Sequence, residues 1–281
     1  MMEIKKKTKT DEVWERLYAR FEKDNLLAET KKRKPRRYIL GWGAVAAAMI
    51  VGVVFALTLW RTSPPDVDTR NFVTQENQEA ATLVKTLEDG SVVYLAQAST
   101  LQYPEHFDTD RREVNLQGEA FFDVAKRPEQ TFLIDTEKVR VEVLGTAFDV
   151  RSNEKNPFSL SVLRGKVKVS LKQGNQTLYV GAGETVILQN DGLQISTTKY
   201  SGHFDRYTKN IRFKDECLED VLRVVNMESS GRQIETLSPA LGKKRLTVEF
   251  SDNSPESVAE LICWTFNLKC AREGNKLILS E

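Results

Sequence analysis

The stretch from Tyr38 to Trp60, YILGWGAVAAAMIVGVVFALTLW, runs 23 residues without a charge. At about 1.5 Å of rise per residue, a helix of that length crosses the hydrocarbon core of a bilayer. Tyr38, Trp42 and Trp60 lie toward its ends, where aromatic side chains suit the headgroup zone. Lys31, Lys32, Arg33, Lys34, Arg36 and Arg37 precede it, whereas Arg61 and Arg70 beyond it are offset by Asp66 and Asp68. That bias places the N-terminus in the cytosol and the long C-terminal part on the other side. A cleavable signal peptide has a shorter apolar core and small residues at its cleavage site; here 37 residues come first and ALTLWRTS follows, so the expectation is an uncleaved single-pass anchor. The basic cluster can also touch anionic lipid heads. It abuts the bilayer and no nucleic-acid-reading module surrounds it, so direct nucleic-acid binding is not expected.

Residues 1–37 contain DEVWERLYARFEKDNLLAE, in which Val13, Trp14, Leu17, Tyr18 and Phe21 recur at helical spacing. One amphipathic helix has no core of its own, so Trp14, Leu17, Tyr18 and Phe21 are the candidate residues for a cytosolic partner, with the membrane surface as the competing occupant. Residues 38–60 are the expected span. Residues 61–81, RTSPPDVDTRNFVTQENQEAA, read as a polar spacer.

From Thr82 the period becomes two. In VRVEV, Val139, Val141 and Val143 share one face and Arg140 and Glu142 the other, as in a half-buried strand. Turn signals recur at Asp89-Gly90, Gly118, Gly145, Arg164-Gly165, Gly174-Asn175, Gly181 to Gly183, and Asp191-Gly192. Many short strands with glycine corners predict an all-β domain over residues 82–199, of sandwich, barrel or short-solenoid type. The remainder, residues 207–281, mixes elements. Ile211 to Phe213 is a strand, Leu218, Val221, Leu222 and Val225 form a helix stripe with Asp215 as its N-cap, and RQIETL and KRLTVEF are strands. Ser254 and Pro255 open a second helix, and LKCARE, a Gly-Asn turn and KLILS form a hairpin. Phe213-x-Asp215 and Phe250-x-Asp252 stand at matching offsets before the two helices, which predicts two βαβ-like halves in a small α+β domain.

Chemistry is scarce. His106 and His203 are the only histidines, and neither belongs to HExxH or another metal-spaced cluster. GxSxG, P-loop and dinucleotide GxGxxG signatures are absent, and Gly181-Ala182-Gly183 is better explained as a hairpin corner. Asp108, Asp110, Glu113, Glu119 and Asp123 carry no mark of a carboxyl held protonated in an apolar pocket. Cys217, Cys263 and Cys270 form no CxxC, and no disulfide scaffold is expected. Catalytic residues, cofactors and metals are therefore not expected.

The segment DGSVVYLAQASTLQYPEHFDTDRREVNLQGEAFFDVAKRPEQTFLIDTEKVRVEVLGTAFDVRS, continuing through LRGKVKVSLKQGNQTLYVGAGE, resembles the periplasmic domain of FecR-type anti-sigma factors. The resemblance covers roughly residues 82 to 188 and is carried by Asp89, Gly90, Gly118, Glu119, Phe121, Phe122, Gly145, Thr146, Phe148, Gly165 and Gly183 among others. The last residues, with Phe213, Leu218, Val221, Leu222, Phe250, Val258, Leu261, Ile262, Gly274 and Ile278, resemble the signalling domains of outer-membrane transducers. The resemblance implies a single-pass protein of the bacterial inner membrane with a periplasmic all-β domain and a small α+β domain. It would take a signal from the signalling domain of a TonB-dependent outer-membrane receptor and pass it to an extracytoplasmic-function sigma factor in the cytosol. Family members usually carry several cytosolic helices before the span, where this sequence offers one strong one. The competing reading is a membrane-anchored periplasmic ligand- or glycan-binding module without sigma control.

Overall fold

The computed structural model describes residues 71–153, 156–198, 204–229, 231–251 and 254–281; the expected N-terminal helix, the basic flank, the span and His203 lie outside them. Among the described residues no helix is long and apolar enough to cross a membrane.

Strands come first: β1 (Phe72–Asn77), β2 (Thr82–Thr86), β3 (Val92–Leu95), β4 (Ser99–Pro104), β5 (Arg111–Asp123), β6 (Thr131–Asp135), β7 (Val139–Val143), β8 (Ala147–Asn153), β9 (Asn156–Arg164), β10 (Lys166–Leu171), β11 (Thr177–Gly181), β12 (Glu184–Gln189) and β13 (Gly192–Thr197). The tail adds α1 (Asp205–Thr208), β14 (Ile211–Cys217), α2 (Leu218–Glu228), β15 (Gln233–Thr236), α3 (Pro239–Gly242), β16 (Arg245–Phe250), α4 (Pro255–Phe266), β17 (Lys269–Glu273) and β18 (Lys276–Ser280). One sheet runs β1-β4-β5-β6-β7-β10-β11, and a second runs β13-β12-β9-β8-β5-β3-β2-β14-β16. A third, β15-β18-β17, belongs to the tail.

The long strand β5 is common to the first two sheets. Its first half pairs with β4 and β6, its second with β3 and β8. The changeover falls at Gly118, whose φ is +104 and where a Cβ would lie 2.4 Å from Ser99 Oγ. Only glycine fits both the angle and the gap. Gly145, between β7 of one sheet and β8 of the other, has the same double restriction: a Cβ there would stand 2.5 Å from Lys126 Cα. Gly165 and Gly183 mark the crossings from β9 to β10 and from β11 to β12. Of the predicted glycine corners, Gly118, Gly145, Gly165 and Gly183 are thus points at which the chain passes between sheets, while Gly90, Gly174 and Gly192 lie at hairpin turns within one sheet.

Between the two sheets lies a core that includes Leu95, Leu116, Phe122, Phe132, Val141, Phe148 and Leu160. Phe122 and Phe148 stack at 5.6 Å between centroids and 15° between planes. Alternation builds it: in β7 the three valines are buried, while outward Glu142 pairs across the strands with Lys168 at 2.9 Å. β3 obeys a different rule, because all four of its residues are buried. Val93 and Leu95 enter the core between the sheets, and Val92 and Tyr94 enter a second core on the opposite face. Phe122 and Phe121 divide in the same way.

That second core is completed by the tail: Tyr207, Ile211, Phe213, Leu218, Val221 and Val225, with Val258, Ile262 and Leu279 from farther on. β14 pairs in parallel with β2, Ile211 opposite Thr82 and Phe213 opposite Val84. The sequence reading places a strand domain and an α+β domain in succession; in the structure they share one sheet and one core, and Thr69–Glu281 forms a single compact unit. The two strand-helix-strand halves are present, β14-α2-β15 and β16-α4-β17.

Two local expectations change. β1 lies inside the stretch read as a spacer; as an edge strand paired only with β4 it alternates exposed and half-buried residues, so its polar composition concealed it. Asp215 does not cap α2, which begins at Leu218 after Cys217 with no side-chain cap; Leu218 N donates to Lys244 O at 2.8 Å, so a neighbouring carbonyl satisfies one of the helix's free N–H groups. Asp215 sits instead at a bulge of β14 with φ +50, its carboxylate accepting from Arg245 Nε at 2.7 Å. The Ser254-Pro255 start of α4 has the expected form, Ser254 Oγ accepting from Ser257 N at 3.3 Å.

If one core joins the strands to the tail, damage at the joint must loosen both. Phe121→Ala, which removes a ring that meets Tyr94, Phe204 and Tyr207, is expected to lower amide-exchange protection in β3, β8, β14 and α2 together, by about 3–5 kcal/mol. Loss confined to β14 and α2 would show two independent domains.

Candidate functional site

The sequence signatures Asp89, Gly90 and Ser91 form a turn after β2. The Asp89 carboxylate accepts from Ser91 N at 2.9 Å and from Ser91 Oγ at 2.6 Å. It also meets Arg112 Nη1 at 2.6 Å, with both side chains 1% exposed or less. Arg112 gives its remaining donors to carbonyls: Nε and Nη2 to Gln130 O, at 3.0 and 2.7 Å, and Nη1 to Ala125 O at 3.0 Å. Its guanidinium lies 5.2 Å from the Phe132 centroid. A buried charge pair is tolerable when its hydrogen-bonding capacity is largely met, and here every guanidinium nitrogen has a partner. The pair therefore fixes β5 against the β2–β3 turn.

A second polar cluster seals the seam between strands and tail. Tyr207, buried on α1, donates its hydroxyl to Asp149 of β8. Arg206 reaches Tyr207 Oη at 2.6 Å, Glu119 at 3.1 Å and Asp149 at 3.3 Å, while Arg151 Nε stands 3.4 Å from Asp149. Burial, followed by the Asp149 charge, pushes the Tyr207 phenol far above its ordinary value, so it stays a donor. On the other flank of the tail, Lys85 of β2 meets Glu216 of β14 at 2.5 Å.

The surface carries two open recesses. A cavity of about 470 Å³ is lined by Val143, Leu144, Thr146, Lys166, Lys168 and Tyr179 among others. Leu144 and Tyr179 are 46% and 60% exposed, and Lys166 Nζ lies 5.3 Å from the Tyr179 centroid. The buried Thr146 hydroxyl has no hydrogen-bond partner among the described residues. A more polar groove of about 440 Å³ is lined by Gln102, Asn115, Gln117, Asp135, Asn153 and Lys172 among others.

His106 is exposed beside Glu88, whose hydrogen bond raises its pKa. Asp108 is placed 3.6 Å from Arg111, Glu113 3.6 Å from the same arginine, and Asp123 2.7 Å from Arg164, so these carboxylates serve ion pairs. Cys217, Cys263 and Cys270 are free thiols. Burial, with a contribution from neighbouring Cys270, pushes the Cys263 thiol up to about 11, which keeps it a poor nucleophile. Among the described residues no group of three His, Cys, Asp or Glu side chains is placed to hold a metal ion.

Of the signature residues, Phe121, Phe122 and Phe148 fill cores, Glu119 joins the seam, Gly145 and Thr146 border the apolar cavity, and Asp89 anchors Arg112. The sequence reading missed Arg206, Tyr207 and Asp149 as one cluster. Residues 57 and 58 positions apart carry no local signal of their meeting.

These features define a two-sheet β body with a fused α+β tail, held together by a buried ion pair and a polar seam. Residues 71–168 match the model of the FecR protein family, and the chain carries a FecR domain. The matched stretch opens just before β1 and ends inside β10. Two crystal structures of a "putative anti-sigma factor" from Parabacteroides distasonis ATCC 8503 are similar at 22% identity and a TM-score of 0.46; they cover 75% and 74% of this chain and 99% of their own. No curated protein matches the chain.

Two consequences can be measured. Asp89→Asn strands the Arg112 charge in the interior and is expected to cost about 3–5 kcal/mol in urea unfolding, a loss that 1 M salt does not erase. Desolvation raises the Glu216 carboxyl above its ordinary 4.5, against the opposing pull of Lys85. The folded form then holds the proton more tightly than the unfolded chain, so this group's contribution is full below the ordinary value and is lost as pH rises through the raised one. Relative to Glu216→Gln, the parent is expected to lose stability across that window; a difference independent of pH would contradict the assignment.

Proposed function

We propose that the chain is an anti-sigma factor or sigma regulator of the bacterial inner membrane. Its β body and tail receive the signalling domain of a TonB-dependent outer-membrane receptor in the periplasm. Trp14, Leu17, Tyr18 and Phe21 hold an extracytoplasmic-function sigma factor in the cytosol, and residues 38–60 connect the two across the bilayer. The reading is carried by one juxtaposition: a FecR domain follows an uncharged 23-residue run whose other flank is basic and preceded by an amphipathic segment. Open recesses at the surface of the β body support it, since such surfaces serve recognition. In this reading the six cations from Lys31 to Arg37 set the topology and lie against anionic lipid.

The amide-lined groove beside β4 and β5 favours a second reading, a ligand- or glycan-binding module. It lacks an aromatic lining residue on which a sugar ring would stack, which leaves it the weaker of the two.

Crosslinking in intact cells followed by purification of the full chain separates them. Recovery of a sigma factor through the N-terminal segment and of an outer-membrane receptor through residues 61–281 is expected. Trp14→Ala with Leu17→Ala and Phe21→Ala should reduce sigma recovery by about tenfold or more, as loss of anchoring side chains does, without altering receptor recovery. Unchanged sigma recovery, with direct saccharide binding to the purified chain, would favour the module.

A further inference from the structure

The third sheet ends in β17, Lys269-Cys270-Ala271-Arg272-Glu273, which pairs only with β18 and is exposed along its whole length. Glu273 and Lys276 close the β17–β18 hairpin over Gly274 and Asn275. A two-residue loop is closed by a hydrogen-bonded pair, so the backbone groups of Glu273, Ala271 and Lys269 point toward β18. Those of Cys270 and Arg272 then point outward from the sheet, each with a donor and an acceptor that no strand takes up.

Side chains divide by the same alternation. Cys270 and Arg272 lie opposite Leu279 and Leu277, both buried, and so occupy the helix-facing side. Lys269, Ala271 and Glu273 occupy the outer face. An edge bearing charges ordinarily repels a further strand. In this edge, however, the charges match those of its own sequence running the other way, Lys269 at one end and Glu273 at the other.

The geometry points to a second copy of this chain on β17, the two strands joined antiparallel about a two-fold axis through Ala271. In that register Cys270 of one copy exchanges backbone hydrogen bonds with Arg272 of the other, which uses every outward backbone group of the strand. Lys269 of each copy faces Glu273 of the other, and Ala271 faces itself. Sliding by two residues either way leaves Lys269 and Glu273 without each other and forfeits backbone bonds. α4 packs on the face of the sheet that carries Cys270 and Arg272, which leaves the outer edge of β17 open. A symmetric pair of this kind closes on itself and leaves no free β17 edge for a third copy.

The test uses the full-length chain with Cys217, Cys263 and Cys270 replaced by Ser. Directly opposed residues of this non-hydrogen-bonded type have Cα atoms about 4.5 Å apart, at the near end of disulfide range. Ala271→Cys, oxidised with copper phenanthroline in membranes before extraction, is expected to yield a product of twice the chain mass, and Lys243→Cys, exposed elsewhere on the tail, is not. Adding Lys269→Glu or Glu273→Lys alone should lower that yield about tenfold, by placing like charges opposite one another twice. Combining the two reversals restores complementarity and should restore the yield, which separates a contact from a folding defect. The proposal is overturned by equal crosslinking at Ala271→Cys and Lys243→Cys, by single reversals without effect, by a double reversal that fails to recover, or by a product of any other mass.

Discussion

The structure depends on a sheet buried on both of its faces. β2, β3 and the second half of β5 stand between the core of the two-sheet body and the core of the tail, and neither core closes without them. The neighbouring residues Phe121 and Phe122 state the arrangement most compactly. Side chains alternate along a strand, so adjacent aromatics cannot share a core. Phe122 stacks on Phe148 on one side, and Phe121 meets Tyr207 and Phe204 on the other. β3, with Val92 and Tyr94 on one side and Val93 and Leu95 on the other, repeats the pattern one strand away.

A sheet covered on both faces must lead its chain in and out at corners, and this is where the glycines work. β5 changes sheet at Gly118 because a strand cannot bend there with a side chain 2.4 Å from Ser99 Oγ. The Asp89–Arg112 pair then fixes the angle of the strand on the near side of that bend, and the Glu119–Arg206–Asp149–Tyr207 cluster fixes it on the far side. Polar groups are thus spent at the two places where apolar packing alone would leave the direction of β5 open, a division in which directional bonds specify and burial stabilises.

What was legible in the sequence were the local rules. Period two in VRVEV, the Ser254-Pro255 helix start and the Gly-Asn hairpin each depend on residues within a few positions, and each has its expected form. The fusion of body and tail was hidden because it rests on β2 meeting β14 across more than a hundred residues. One sign of it was present: VVYL in β3 and AFF in β5 are apolar on both faces, and a half-exposed sheet would have alternated. β1 erred in the opposite sense, a true strand whose exposed edge made it look like a linker. Of the seam cluster only Glu119 was singled out in the sequence, since Asp149, Arg151 and the Arg206-Tyr207 pair acquire meaning only when the fold brings them together.

Fusion also limits how this module can change shape. Pulling the tail from the body would expose Val84, Val92, Tyr94, Phe121 and Ala147, together with the tail residues packed on them. At about 1.5–3 kcal/mol for each large apolar side chain, the body's share alone approaches 10 kcal/mol. That is comparable with the whole stability of an ordinary domain, commonly about 5–15 kcal/mol. A partner binding with micromolar affinity commands about 8 kcal/mol in total, most of it already committed to its own contacts. Separation of body and tail is therefore too costly to be the moving part. What remains inexpensive is occupancy: strand edges and surface recesses of a rigid body can be filled or vacated while both cores stay closed, and a body that moves as one piece transmits displacement without absorbing it.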